Sequence, residues 1–96
     1  MNGYRVTHIC DLALAGNEQL TSVVIPEGVK GIGAYVFQDC TALTSVSIAE
    51  SVTDIGDGIF DGCENLSIIT VVPGSKAEIW CNANDYECEY EEVEEE

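Results

Sequence analysis

Basic residues are scarce in this sequence. The 96 residues contain 3 Lys plus Arg against 18 Asp plus Glu, which gives a formal net charge of -15. Phosphate backbones and anionic lipid headgroups repel a surface this acidic. We therefore expect neither nucleic acid nor a membrane surface as a partner.

Long apolar runs and a leader sequence are also missing. No stretch approaches the roughly 20 consecutive apolar residues that a membrane-spanning helix needs. Residues 1–5 lack the charged and apolar regions of a signal peptide. The sequence therefore predicts no membrane insertion and no signal peptide in this chain. The alternative is an excised piece of a longer exported protein, because an artificial start removes any signal.

Histidine and paired cysteine motifs are too few for a metal or catalytic centre. The only histidine is His8, and the five cysteines form no CxxC pair, so tetrahedral zinc has no ligand set. The repeat register places no nucleophile beside His8, and we expect this residue at an exposed turn. Asp54, Asp57, Asp61 and Glu64 fall on variable outward positions, which favours solvated surface over a metal or glycosidase pair. We predict no catalytic residue, no metal and no cofactor.

Internal repetition is the main positive signal. Residues 20–42 read LTSVVIPEGVKGIGAYVFQDCTA, and residues 43–65 read LTSVSIAESVTDIGDGIFDGCEN, an offset of 23 residues that suits leucine-rich repeats. Apolar positions recur with this period, in the pairs Leu20 and Leu43, Val23 and Val46, Ile25 and Ile48, Val29 and Val52, Ile32 and Ile55, Phe37 and Phe60, and Cys40 and Cys63. The pattern extends backward through Val6, Ile9 and Leu14 and forward through Leu66, Ile69 and Val71.

Each unit starts with a short strand rich in β-branched residues. Strand alternation turns Leu20, Val23 and Ile25 into the stack and Ser22 and Val24 outward. Pro26 and Gly28 then turn the chain, and Val29 and Ile32 cover the interior from the opposite wall. Phe37 fills the interior, and Cys40 closes the turn that leads to the next strand. Because one unit cannot bury its apolar face alone, we expect parallel strands near Leu20, Leu43 and Leu66 to stack into a solenoid.

The period breaks at Pro73. Ser75 and Glu78 form a capping box before an apolar pair, which predicts a helix over about residues 76–83, a turn at 84–85 and a strand over 86–90. Trp80 is expected to seal the end of the core, with an aromatic hot spot of Trp80, Tyr86 and Tyr90 as the alternative. The predicted organisation is repeats over 1–72, in about three units with the first partial, then a cap over 73–90 and a solvated acidic tail over 91–96.

These motifs resemble the BspA-type (treponemal-type) leucine-rich repeats, whose units run L-x-x-I-x-I-P, V-x-x-I-G and F-x-x-C. The segment PGSKAEIWCNANDYECEY resembles the ending of such arrays. The resemblance implies a leucine-rich-repeat solenoid, a parallel β-ladder with a helix–strand cap. It also implies that the cysteine of F-x-x-C is a buried residue satisfying a turn, so we expect Cys40 and Cys63 to be reduced. Cys81 and Cys88, on the cap helix and strand, are the better disulfide candidates.

Members of this family are mostly bacterial surface or secreted proteins that act in adhesion. The resemblance therefore implies a non-enzymatic protein-binding module of a cell-surface or secreted adhesin, with a host matrix or cell-surface protein as partner. The alternative is a structural end piece of a longer array without a ligand of its own. The expected binding face is the set of outward strand positions on the inner face of the curve: Ser22, Val24, Ser45, Ser47, Ile68 and Thr70.

The first unit lacks its own L-x-x-V-x-I strand. Val6, Ile9 and Leu14 therefore belong to a repeat whose preceding neighbour is missing from this sequence. An apolar edge with unpaired backbone recruits a partner. We expect either further repeats upstream or a homo-oligomer formed through this edge.

Overall fold

The computed structural model describes residues 7–90. The chain winds into stacked turns, whose elements in chain order are β1 (His8–Ile9), β2 (Ser22–Ile25), β3 (Gly31–Ile32), β4 (Ser45–Ile48), β5 (Asp54–Ile55), β6 (Ile68–Val71), α1 (Lys76–Ala83) and β7 (Glu89–Tyr90). The predicted acidic tail, 91–96, and the start of the first unit, including Val6, lie outside the described residues.

The principal sheet has four strands in the order β2-β4-β6-β7, and all of its pairs are parallel. Ser22 pairs with Ser45 and Ser45 with Ile68, so each strand advances by one 23-residue repeat. Three parallel strands just after Leu20, Leu43 and Leu66 were predicted, and the structure confirms them. The solenoid is therefore in the register that the sequence repeat indicates.

A second parallel sheet, in the order β1-β3-β5, forms the opposite wall. The V-x-x-I-G segments were predicted to cover the interior there, but not to pair as strands. The expected exposed turn at His8 was wrong in part, because His8 is exposed but lies in β1, where it faces Gly31 in the register. A Cβ on Gly31 would meet the His8 ring at 2.6 Å, so glycine permits this close approach.

The core lies between the two sheets and the connecting loops. It contains the residues that recur with the repeat, namely Ile25, Val29, Ile32, Phe37, Cys40, Leu43, Val46, Ile48, Val52, Phe60, Ile69 and Val71. Burial is greatest in the middle turn: Leu43 and Val46 are buried, whereas the equivalent Leu20 and Val23 remain partly exposed. Packing between neighbouring repeats therefore creates the core.

Two positions in each loop after the second-sheet strand adopt left-handed backbone. The first is Leu12, Tyr35 and Gly58 in successive turns, with φ of 61°, 57° and 64°; the second is Gly16, Asp39 and Gly62, with φ of 77°, 59° and 79°. Glycine adopts this conformation freely, whereas other L-residues are strained in it. Only the last of the three turns has glycine at both positions. Backbone strain in these loops is therefore found in the first two turns, at Leu12, Tyr35 and Asp39.

The cap helix has the predicted bounds, whereas the strand predicted over 86–90 is shorter and covers only Glu89–Tyr90. Helix α1 spans Lys76–Ala83, and the Ser75 hydroxyl accepts the Glu78 backbone N–H at 3.3 Å. The other half of the predicted capping box differs, because the Glu78 carboxylate accepts the Gly74 N–H at 2.6 Å instead of that of Ser75. Asn84 ends the helix, and the chain returns to place β7 parallel to β6. The cap thus adds a fourth strand to the principal sheet.

No helix within residues 7–90 is long and apolar enough to cross a membrane.

Candidate functional site

All six outward residues predicted for binding lie on one surface of the principal sheet. Parallel pairing aligns them in two columns across the strands, one of Ser22, Ser45 and Ile68 and the other of Val24, Ser47 and Thr70. Directly paired residues of neighbouring strands point to the same face. We call this surface of β2, β4 and β6 the strand face.

The side chains of the strand face are small or medium-sized, and none of them is charged. Val24 is 72% exposed and Ile68 is 42% exposed, and hydroxyl groups occupy the remaining four positions. Its two apolar side chains lie at opposite ends, on β2 and β6. None of the six positions carries a charge, although the sequence has a net charge of -15.

A row of hydroxyl residues borders the strand face where each strand begins. The Thr44 hydroxyl donates to the Thr21 carbonyl at 3.0 Å, and the Ser67 hydroxyl donates to the Thr44 carbonyl at 3.3 Å. These bonds join one turn to the next and fix the side chains at the border. Hydrogen bonds between successive turns therefore order the border of the strand face.

Glu89 extends this surface, which sequence reasoning missed. It pairs with Thr70, so the second column continues from Val24, Ser47 and Thr70 to a carboxylate on β7. The alternation in residues 86–90 indicated an exposed position for Glu89, but only the pairing of β7 with β6 shows which surface it joins.

The aromatic residues of the cap close the core. Trp80 and Tyr86 stack with ring centroids 5.5 Å apart, and both meet Phe60 edge-on, at 5.7 and 5.6 Å. Phe60 in turn stacks on Phe37 at 5.8 Å. Trp80 thus seals the end of the core as predicted. Of the alternative hot spot, only Tyr90 is exposed, and its hydroxyl donates to Glu78.

The cysteines are free thiols in the described structure. Cys40 donates to the Leu14 carbonyl at 3.1 Å, and Cys63 donates to the Phe37 carbonyl at 3.0 Å, so this position satisfies the turn as the resemblance implied. Burial raises the pKa of the Cys63 thiol to about 11. A protonated thiol is a poor nucleophile.

The cap cysteines, which were the better disulfide candidates, are also unbridged. Cys81 is fully buried on α1, and Cys88 lies partly buried just before β7. Burial, together with contact and a hydrogen bond between the two thiols, raises the pKa of Cys81 to about 12. The two thiols are therefore neighbours without a disulfide bond between them.

The remaining acidic candidates lie apart from the strand face. Asp54, Asp57, Asp61 and Glu64 are all exposed, as predicted. Asp54 and Asp57 line a shallow groove of about 580 Å³ on the second sheet together with Asp11, whose carboxylate accepts the Ala34 N–H at 2.8 Å. Among residues 7–90, no group of three or more His, Cys, Asp or Glu side chains is placed to hold a metal ion.

Comparison with known proteins identifies the repeat. Residues 4–89 match the family described as "BspA type Leucine rich repeat region (6 copies)". No curated protein and no solved structure matches this sequence. The family match covers the repeats and most of the cap, including both columns of the strand face. Together with the parallel solenoid, it shows that the chain belongs to the BspA-type leucine-rich repeat family.

Proposed function

We propose that this chain is a non-enzymatic protein-binding module of a cell-surface or secreted adhesin, with a host matrix or cell-surface protein as partner. BspA-type repeats form protein-interaction modules, and they are typical of surface and secreted proteins. The observation that supports a binding role for the strand face is its lack of charge within a strongly acidic chain. Surfaces depleted of charge are a mark of interface centres.

The parallel pairing and the short side chains of the strand face support the same proposal. Its backbone is fixed by parallel pairing on both sides of β4, and its side chains are mostly short. A partner would therefore bury a flat patch without ordering long side chains, which keeps the entropic cost of binding low. Val24 and Ile68 supply apolar area for contact.

Two arginine substitutions test this role. The wild-type chain, Ser47→Arg and Asn82→Arg are assayed against immobilised fibronectin, laminin, collagens and intact host cells. Ser47 lies in the middle of the strand face, whereas Asn82 is exposed on α1, and both substitutions change the net charge equally. We expect Ser47→Arg to weaken binding at least tenfold and Asn82→Arg to leave it unchanged. Equal effects would contradict a role for the strand face.

A structural role is the second candidate, and the cap supports it. Trp80 and Tyr86 cover Phe60, so residues 73–90 can end an array of any length. Absence of wild-type binding to every ligand in the same assay, with an intact fold by circular dichroism, would favour this candidate over adhesion.

Self-association through the first-turn edge is proposed as a further partner interaction. Within residues 7–90, β1 and β2 each pair on one side only, and Ile9, Leu14 and Val23 remain partly exposed beside them. An edge of this kind favours pairing with a second copy, while the net charge of -15 opposes it. Light scattering over a concentration series in 0.05 and 0.5 M salt is the test. A monomer at every concentration in both salts would contradict it.

A further inference from the structure

Together with Glu89 on the adjoining β7, the strand face has opposite chemical character at its two ends. The column that starts with Val24 on β2 passes through Ser47 and Thr70 and ends at Glu89 on β7. Val24 is 72% exposed, and the Glu89 side chain is exposed as well. A ligand that crosses the strands therefore meets an apolar contact at one end and a carboxylate at the other.

The border of this surface is acidic on a second side. Glu27 and Glu50 are exposed and lie two residues beyond the ends of β2 and β4. Of the two described lysines, Lys30 directly precedes β3 in the second sheet, and Lys76 begins α1, whose first turn contacts β7 through Glu78 and Tyr90. Together with the net charge of -15, the exposed Glu27 and Glu50 make the border of the strand face acidic.

The distance between the two ends follows from the sheet. Three strand spacings separate β2 from β7, and each is about 4.8 Å, so Val24 and Glu89 lie about 14 Å apart across the surface. An extended chain advances about 3.3 Å per residue and repeats its side-chain direction every second residue. Side chains four positions apart in such a chain point the same way and span about 13 Å.

We infer that the strand face binds an extended segment of a partner protein that carries an apolar residue and, four positions away, a lysine or arginine. The apolar side chain packs on Val24, and the cation pairs with Glu89. The inference rests on the proposed function and specifies the chemistry of the partner. A second copy of this acidic chain does not fit, because its own carboxylates would meet Glu89, Glu50 and Glu27.

The test uses a phage-displayed library of random 12-residue peptides. The library is panned on the wild-type chain, and each clone is then screened for loss of binding to Ser47→Arg, which obstructs the strand face. We expect clones that depend on Ser47 to be enriched in the pair of an apolar residue and a Lys or Arg at a spacing of four. Enrichment is judged against clones whose binding does not depend on Ser47, because an acidic protein attracts cationic peptides everywhere.

Two glutamine substitutions then locate the cation. The tightest Ser47-dependent peptide is titrated against Glu89→Gln and Glu87→Gln, which change the net charge equally, and both glutamates are exposed in the same segment. We expect a two- to fivefold weakening for Glu89→Gln, about the strength of one exposed ion pair, and no change for Glu87→Gln. Val24→Ser should weaken binding about tenfold through lost apolar contact.

The outcomes separate this inference from the function on which it rests. If no clone depends on Ser47, the binding role of the strand face and the inference both fail. If Ser47-dependent clones lack the spaced pair, or bind Glu89→Gln and Glu87→Gln equally, the strand face binds peptides but the inferred partner chemistry is wrong.

Discussion

The first and last turns of the stack have the same backbone arrangement, but their apolar side chains are shielded from solvent to different degrees. At the first described turn, Ile9, Leu14 and Val23 remain partly exposed. At the other end, Phe60 and Ile69 are buried, because Trp80 and Tyr86 close over the last turn and β7 pairs with β6. A solenoid turn is therefore only as well protected as the element stacked on it, and the cap supplies that element at one end.

The largest expected difference between the ends comes from the residue that fills each loop. Phe60→Ala removes a buried ring that contacts Phe37, Trp80 and Tyr86, and we expect it to lower the free energy of unfolding by about 3 to 5 kcal/mol. The register-equivalent Leu14→Ala should cost about 2 kcal/mol, because Leu14 already contacts solvent. Urea denaturation measures both. A loss below about 1 kcal/mol for Phe60→Ala would place it outside the core.

Oxidation of the cap thiols should increase the difference in stability between the two ends of the stack. Cys81 and Cys88 are neighbouring thiols at the closed end, and thiol–disulfide exchange with glutathione disulfide would join them and release two molecules of glutathione. The bond would close a loop of about eight residues and raise the free energy of unfolding by about 2 to 3 kcal/mol. Thermal unfolding before and after oxidation measures the gain, which Cys88→Ser should abolish and Cys10→Ser should keep. Peptide mapping that finds Cys81 unpaired after oxidation would contradict this prediction.

Backbone strain distinguishes the first turn from the last by a smaller amount. Leu12 has φ of 61° and is 52% exposed, so Leu12→Gly should relieve strain at little cost in packing and stabilise the protein by about 0.5 to 1 kcal/mol. Gly58 occupies the same position in the last turn, and Gly58→Ala should destabilise by about 1 to 2 kcal/mol, since the new Cβ would meet the Tyr35 ring. The urea midpoints of unfolding show whether each variant is more or less stable than the wild-type protein. Destabilisation by both would show that the left-handed position is not strained at Leu12.

The smallest expected effect is a pH dependence confined to the cap. The hydrogen bond from the Tyr90 hydroxyl, followed by that from the Gly74 N–H, holds the pKa of Glu78 below its ordinary value. A depressed folded-state pKa contributes stability above the unfolded pKa, and this contribution is lost as pH falls through the folded-state pKa. The same contact raises the pKa of Tyr90 to about 12, so its contribution is lost at the alkaline end.

Tyr90→Phe tests this contact. The difference in Tm between wild type and Tyr90→Phe should shrink as pH falls from about 6 to 3, where Glu78 becomes protonated. Tyr35→Phe, at an exposed tyrosine far from the cap in sequence, serves as the control and should show no such trend. A difference that stays constant over this range would mean that the contact does not depend on the Glu78 charge.

Much of the fold could be predicted from the sequence, because similar residues recur at equivalent positions of successive repeats. The strands after Leu20, Leu43 and Leu66, and the helix over 76–83, were predictable from period and capping. The second sheet was not, because β1, β3 and β5 are two residues long and too short to show alternation. His8 was misplaced for the same reason.

The strand face could be located from the sequence, but its limits could not. Strand alternation identified both columns, because a period of two separates inward from outward residues. The contribution of Glu89 depends on which strand β7 pairs with, and no local pattern specifies that partner. Left-handed backbone at Leu12 and Tyr35 was equally hidden, since neither residue type favours it.

Native-state hydrogen exchange tests the difference between the two ends most directly. The Gly33 N–H donates to the Ile9 carbonyl and the Gly56 N–H to the Ile32 carbonyl, both at 2.8 Å, and each glycine follows an isoleucine, so their intrinsic exchange rates match. Protection therefore reports how often each turn opens. We predict that Gly56 exchanges at least about tenfold more slowly than Gly33, a difference of about 1.4 kcal/mol in opening free energy. Equal protection, or slower exchange at Gly33, would contradict the claim that the capped end of the stack is the more stable one.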